Sequence, residues 1–415
     1  MNIRSLLAFA ALLLGLGAGA RAETVTIACG AVGIEYRLCR EGAEAWAAAS
    51  GNAVTLIQSP SLTNDRLGLF QQLLAARSPD IDVFQIDIIW PAMLGRHFVD
   101  PRRFVPAKAI GAHFPRLIAA YTVKGVLKAM PWFADVGVLY YRRDLLDKYG
   151  LAPPASWDEL ARTARRVVDA EHAAGNADLV GLVFQGRAYE GLTVNALEWM
   201  AAAGGGAIVD ASGSVTLDNP AAAAAIDGAA RWIGTIAPRG VLAYAEEEAR
   251  GVFQSGRALF MRNWPYAWPL LEGPGSPVRG RVGVAPLPGG GVLGGGGLAV
   301  SAYSAHPALA ADLVAYLTGR DEQRRRARIG GFIPTIAAVY DAPAPATTKA
   351  RWRAFKPMLD GAIARPARIV GDRYNQVSAI FWNAVHDTLA GRGAAAENLA
   401  RAARRIERLR RGGKW

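Results

Sequence analysis

Residues 131–160 read PWFADVGVLYYRRDLLDKYGLAPPASWDEL. Positions 136–142 are rich in β-branched and aromatic residues, the composition of a strand. Positions 143–149 have helical spacing and stop at Gly150, with Pro153 and Pro154 just beyond. Ser156 and Glu159 then form a capping box, in which a hydroxyl and a carboxylate satisfy the free amides of a helix start, so a helix is predicted over 157–174. Strand, helix and helix follow one another as in an α/β chain. Asp135 stands between aromatic residues and the strand, an unusual place for a carboxylate in a soluble protein.

The alternation continues on both sides. Upstream, 23–28 (ETVTIA) alternates as a strand and 41–50 is helix-like up to Gly51. Positions 65–76 form an amphipathic helix with Leu67, Phe70, Leu73 and Leu74 on one face. A buried strand over 81–86 ends at Asp87, and ligands of open α/β sheets bind outside the carboxyl ends of strands. Downstream, strands are predicted over 180–184, 258–261 and 298–301, and helices over 195–203, 219–236 and 306–318. The 258–261 strand delivers Arg262, Asn263, Trp264, Pro265 and Tyr266. Positions 341–348 (DAPAPATT) are expected to be a loop, and the remainder mostly helical. At 415 residues the chain is long enough for two lobes, and an apolar fraction of 52% argues against disorder.

The N-terminus has the pattern of a secretory leader: a basic start at 1–4, an apolar run over 5–19, and Ala20-Arg21-Ala22 as the cleavage site. A periplasmic protein is expected after its removal. Cys29 lies beyond that site, which argues against lipidation. Cys29 and Cys39 are the only cysteines, and in an exported chain a disulfide is the expected state, metal binding the weaker alternative. The formal charge is +12, lowered by two when Arg4 and Arg21 leave with the leader. Much of the excess sits in ARAARRIERLRRGGKW (400–415). Leu399, Ala402, Ile406 and Leu409 form a stripe there, so a docked helix with a solvated basic face is preferred over a membrane- or nucleic-acid-binding segment.

Enzyme signatures are largely missing. There is no H-E-x-x-H, G-x-S-x-G or phosphate-loop motif, and the histidines at 97, 113, 172, 306 and 386 have no metal-ligand spacing. A literal G-x-G-x-x-G at Gly289, Gly291 and Gly294 follows a proline-rich loop and precedes a strand, so it is not a dinucleotide site. No cofactor is expected. The eleven tryptophans are more telling, because Trp90, Trp132 and Trp264 lie close to Asp87, Asp135 and Asn263. Flat rings cover the C–H faces of sugars while carboxylates and arginines take the hydroxyls. The plain alternative for each is a core tryptophan, or an aspartate acting as a cap or ion-pair partner.

The same 131–160 stretch resembles the extracellular solute-binding proteins of sugar ABC importers. GRALFMRNWPYAW (256–268), AHPALAADLVAYLTGRDEQ (305–323) and GGFIPTIAAVYDAP (330–343) extend the resemblance along the mature chain. CGAVGIEYRLCREGAEAWAAASGN (29–52) and ARPARIVGDRYNQVS (364–378) are most similar to the trehalose/maltose-binding subgroup. The resemblance implies a two-lobe α/β periplasmic binding-protein fold with a multi-crossing hinge and a ligand cleft between lobes. It implies a first lobe from 23–132 and 283–335 and a second from 133–282 and 336–415, after the 1–22 leader. A monomer is implied that binds an oligosaccharide and delivers it to an ABC permease. Matched motif by motif, the implied ligand-binding residues are Glu35, Arg66, Asp87, Asp135, Trp264, Tyr266 and Arg365. Gly296 stands where the subgroup often has a stacking tryptophan, which implies a lost platform or a different ligand. A competing reading is a secreted glycoside-processing enzyme with Asp87 and Asp135 as its acid/base pair.

Overall fold

The computed structural model describes residues 22–30, 33–410 and 414–415. Apart from Ala22, the leader lies outside the described residues. Two sheets organise the chain. The first has five strands in the order β2-β1-β3-β11-β6: β1 (Thr24–Ala28), β2 (Ala53–Ile57), β3 (Val83–Asp87), β6 (Met130–Val136) and β11 (Leu293–Val300). β1 is parallel to β2 and β3, whereas β11 runs antiparallel between β3 and β6. β4 (Thr122–Val123) and β5 (Val126–Leu127) form a small hairpin. The second sheet has the order β10-β7-β9-β8, from β7 (Val138–Arg142), β8 (Val180–Val183), β9 (Ala258–Asn263) and β10 (Val282–Pro286).

Helices cover both sheets. Gly33–Ser50 and Pro307–Thr318 pack beside the first sheet, and Cys29 at the end of β1 is disulfide-bonded to Cys39 on the Gly33–Ser50 helix. Trp157–Ala173 packs on β8, and its Ser156 cap accepts the Glu159 N–H at 3.1 Å. The Glu159 carboxylate takes the Ala155 N–H, closing the helix start. Glu190–Ala202, Pro220–Ala230, Tyr374–Leu389 and Ala395–Glu407 form one helical layer. In the last of these Leu399, Ala402 and Ile406 are buried while Arg401, Arg404 and Arg405 are exposed, as a docked helix requires. No helix among the described residues is long and apolar enough to cross a membrane.

The most informative difference from the sequence reading lies at 136–142, read as one strand. The chain makes two strands there, in different sheets, broken at Gly137. A Cβ at Gly137 would lie 2.1 Å from Glu198 Oε1 and 2.4 Å from Arg262 Nη2. Those two residues form a buried two-pronged ion pair, Nε to Oε2 at 2.9 Å and Nη2 to Oε1 at 2.6 Å. Only glycine lets the backbone pass so close to it. Glu198 Oε1 also accepts the Val292 N–H at 3.0 Å. The chain therefore changes sheets beside one carboxylate in both directions. The passages are joined to each other as well: Gly137 N–H donates to Val292 O, Leu293 N–H to Ile363 O, and Ile363 N–H to Gly291 O.

Other differences are at element ends. The first helix begins at Gly33 and the 195–203 helix at Glu190, both earlier than expected. The 219–236 helix stops at Ala230. A helix starts at Ala346, inside the expected 341–348 loop.

Candidate functional site

A cavity of about 460 Å³ lies where the two sheets face each other. All eight residues singled out from sequence line it: Glu35, Arg66, Asp87, Asp135, Trp264, Tyr266, Gly296 and Arg365. They arrive from separate parts of the chain. Glu35 comes from the first turn of Gly33–Ser50 and Arg66 from the start of Thr63–Ala75. Asp87 ends β3, Asp135 lies on β6 and Gly296 on β11. Trp264 and Tyr266 follow β9 of the other sheet. Asp135 is thus part of a strand itself, where the sequence reading placed it just before one.

Hydrogen bonds fix the acidic side of the cavity. Gln85 donates from Nε2 to Glu35 Oε1 at 2.6 Å and accepts the Gly30 N–H through Oε1, tying Glu35 to β3. Asp87 Oδ1 accepts from the Ile89 N–H at 3.1 Å and from Arg365 Nη2 at 3.0 Å. Arg365 Nη1 donates to Glu190 Oε1, also at 3.0 Å. Arg365, expected to bind ligand, lines the cavity and is also a buried bridge between a first-sheet aspartate and a glutamate of the helical layer. Burial works against its charge, but Asp87 and Glu190 outweigh it and hold the guanidinium above its ordinary pKa. Glu190 also accepts Tyr374 Oη and Ser378 Oγ, both at 2.7 Å. Burial still raises its pKa, overcoming those partners.

Asp135 is held differently. Its Oδ1 is buried and has no hydrogen-bond partner among the described residues. Burial pushes its pKa well up, and the negative charges of Glu35 and Asp87 add to this against Arg262 and Arg326. Asp135 is only half-buried as a residue and lines the cavity, so its carboxyl is within reach of a polar ligand.

The second sheet supplies rings and further acids. Trp264 lies under the Arg262 guanidinium, 4.1 Å from the ring centroid, and its indole N–H points to Glu246 Oε1 at 3.4 Å. Tyr266 donates from Oη to Glu247 Oε1 at 2.6 Å, and Arg250 braces Glu247 from Nη2 at 2.6 Å. Arg66 sits 6.0 Å from the Trp90 ring, and its Nε has no partner among the described residues. The cavity thus combines carboxylates, guanidiniums and rings, the set that recognises many hydroxyls on an apolar frame.

Sequence reasoning did not select Gln85, Phe133, Glu190, Glu246, Glu247 or Phe332, which also line the cavity. Phe133 stood inside the stretch that attracted attention, two residues before Asp135. The Glu246–Glu248 run reads as an ordinary acidic helix start, and Glu190 opens a helix that the sequence reading began only at 195.

Comparison with known proteins adds an independent line. The family description "bacterial extracellular solute-binding protein" matches residues 40–324. A probable ABC transporter-binding protein of Deinococcus radiodurans is 47% identical over 382 residues, covering 90% of this chain and 91% of that protein. The maltose-bound structure of T. maritima MalE3 superposes with a TM-score of 0.87 at 34% identity, covering 94% of this chain and 100% of that one. The GacH receptor of Streptomyces glaucescens superposes with a TM-score of 0.82 at 22% identity, covering 94% and 98%, a likeness of fold alone.

Proposed function

The chain belongs to the bacterial extracellular solute-binding proteins, and on that premise we propose that it is the periplasmic receptor of a sugar ABC importer. Its cargo in this reading is a neutral oligosaccharide, an α-linked disaccharide such as maltose or trehalose, delivered unaltered to the permease. The observation that carries the proposal is the convergence of Glu35, Arg66, Asp87, Asp135, Trp264 and Tyr266, from distant segments and both sheets, on one cavity. The relative that binds maltose has the same fold along its whole length. We set the changes of lobe at Gly137 and between Pro286 and Leu293, where sheet membership changes, in place of the limits at 132 and 282.

In this reading the Asp135 carboxyl, which lines the cavity, hydrogen-bonds sugar hydroxyls, Trp264 stacks on a ring, and Tyr266 and Arg66 flank it. Arg365 acts by orienting Asp87. A receptor needs micromolar affinity, about −8 kcal/mol, which a few charge-assisted bonds and stacked rings supply. Calorimetry against maltose, trehalose and sucrose tests the proposal. At least one should bind saturably, and Asp135→Ala should weaken it about ten- to a hundredfold, as the loss of hydrogen bonds to a charged group predicts. Binding by none of a wide panel of neutral sugars refutes it. The glycosidase alternative is the weaker reading, because Asp87 directs Oδ1 to Arg365 and Ile89 and the family and the 47% identical relative are transport binding proteins. Release of monosaccharide from the same panel would revive it.

A further inference from the structure

The glycine at 296 has a physical explanation in the neighbouring strand. Gly296 pairs with Phe133 across β11 and β6. A Cβ at 296 would lie 2.5 Å from Phe133 Cε1 and 2.7 Å from Cζ, inside the volume of the ring. The space that a side chain at 296 would take is already filled, and it is filled by an aromatic ring. Phe133 is 8% exposed and still lines the cavity. Phe332 lines it too, with its ring centroid 5.0 Å from that of Phe133.

We infer that Phe133, supported by Phe332, is the ring on which a sugar stacks in the first-sheet half of the cavity, in place of a side chain at 296. The inference rests on the sugar-receptor reading and deepens it. Three observations carry it. The first is the steric exclusion at 296. The second is what fixes the rings. Arg326 is 1% exposed, none of its three guanidinium nitrogens has a hydrogen-bond partner among the described residues, and its Cζ lies 3.6 Å from the Trp132 ring centroid, 4.4 Å from Phe332 and 5.6 Å from Phe133. A cation solvated by ring faces holds those rings in one arrangement, so the platform is preorganised.

The third is the placement of Trp264. A Cβ at Gly294 would lie 2.9 Å from the Trp264 ring, so Trp264 lies against β11 two positions from Phe133's place. Two residues of extended strand span about 7 Å. Two rings on one glycine strand at that spacing suit a ligand of two linked sugar rings better than a single one. Gly294 and Gly296 are both glycine because a ring from a neighbouring element occupies each position.

Exchange of the two side chains tests this. Phe133→Leu keeps apolar bulk and removes the π face, so it should fold with a thermal midpoint near the parent's. It should bind the best of maltose, trehalose and sucrose five- to tenfold more weakly in calorimetry. Gly296→Trp alone should lower the thermal midpoint, because two rings compete for one volume. Adding Phe133→Ala to Gly296→Trp should restore both midpoint and sugar binding, by moving the platform from one strand to the next. Parental affinity in Phe133→Leu, or a double variant no more stable than Gly296→Trp, overturns the inference while the receptor reading stands. A parent that binds none of these sugars and none of the wider panel overturns both.

Discussion

Replacing Asp135 with Asn removes a titratable carboxyl whose buried Oδ1 has no hydrogen-bond partner among the described residues. Burial is the main reason its carboxyl resists ionisation, and Glu35 and Asp87 reinforce it. The folded chain therefore holds the proton more tightly than the unfolded chain does. At pH values below the ordinary carboxylate range the group is neutral in both states and costs nothing. As pH rises through the unfolded pKa, the unfolded chain releases its proton first, and stability falls until the folded group also ionises. Asparagine does not titrate, so the variant escapes this loss. At neutral pH it should be more stable than the parent by about 1 kcal/mol or more, because each unit by which folding raises the carboxyl's pKa costs about 1.4 kcal/mol. The attraction of Arg262 and Arg326 limits the gain. Urea denaturation without sugar, repeated from pH 3 to pH 8, reads the effect directly. The gain should be near zero at pH 3 and grow with pH. A variant no more stable than the parent at pH 7, or a gain of constant size at every pH, would refute this account. The same substitution should weaken sugar binding, because the amide offers sugar hydroxyls one acceptor oxygen where the carboxyl has two. Stability gained at the cost of affinity would mark Asp135 as a functional residue.

Three further outcomes are expected. Arg365→Met should destabilise the protein by about 3–5 kcal/mol in urea, because it strands buried Glu190, and Glu190→Gln in the same chain should recover much of that loss. Reducing the Cys29–Cys39 bond, or replacing both cysteines with serine, should cost up to about 3 kcal/mol by the same measurement, the chain-entropy value for so short a loop. Ile406→Ala should cost about 2–5 kcal/mol while Arg404→Ser stays within about 0.5 kcal/mol, and calorimetric sugar affinity should not change in either.

Much of the fold could be read from residue patterns. The β1 and β3 strands, the amphipathic Thr63–Ala75 helix and the capped Trp157–Ala173 helix follow from local periodicity and end signals, which act over a few residues. The break at Gly137 does not. It depends on the Arg262–Glu198 pair, whose members come from two other elements, and no local signal in the VGVLYYR run reports it. The same contrast runs through the site. Glu35, Asp87, Asp135 and the second-sheet rings were legible because motif and strand-end position mark them, whereas Glu190, Glu246 and Glu247 were not. The ion pair of Arg365 with Glu190 was not legible either, since the two residues are 175 positions apart. Gly296 read as a missing platform because the ring occupying its place belongs to an adjacent strand.

The meeting of the three chain passages at Gly137, Val292 and Ile363 has a mechanical consequence. Their mutual hydrogen bonds, and the bond of Val292 to Glu198, would oppose sliding of one half past the other and leave a swing about a line through those residues as the easier motion. Asp135, Gly294 and Arg365 each lie two positions from that line and would scarcely shift against one another. Glu35, Arg66, Glu247 and Tyr266 stand away from it in the chain and would travel furthest. The inner groups can then wait in fixed geometry while the outer ones arrive around whatever has entered.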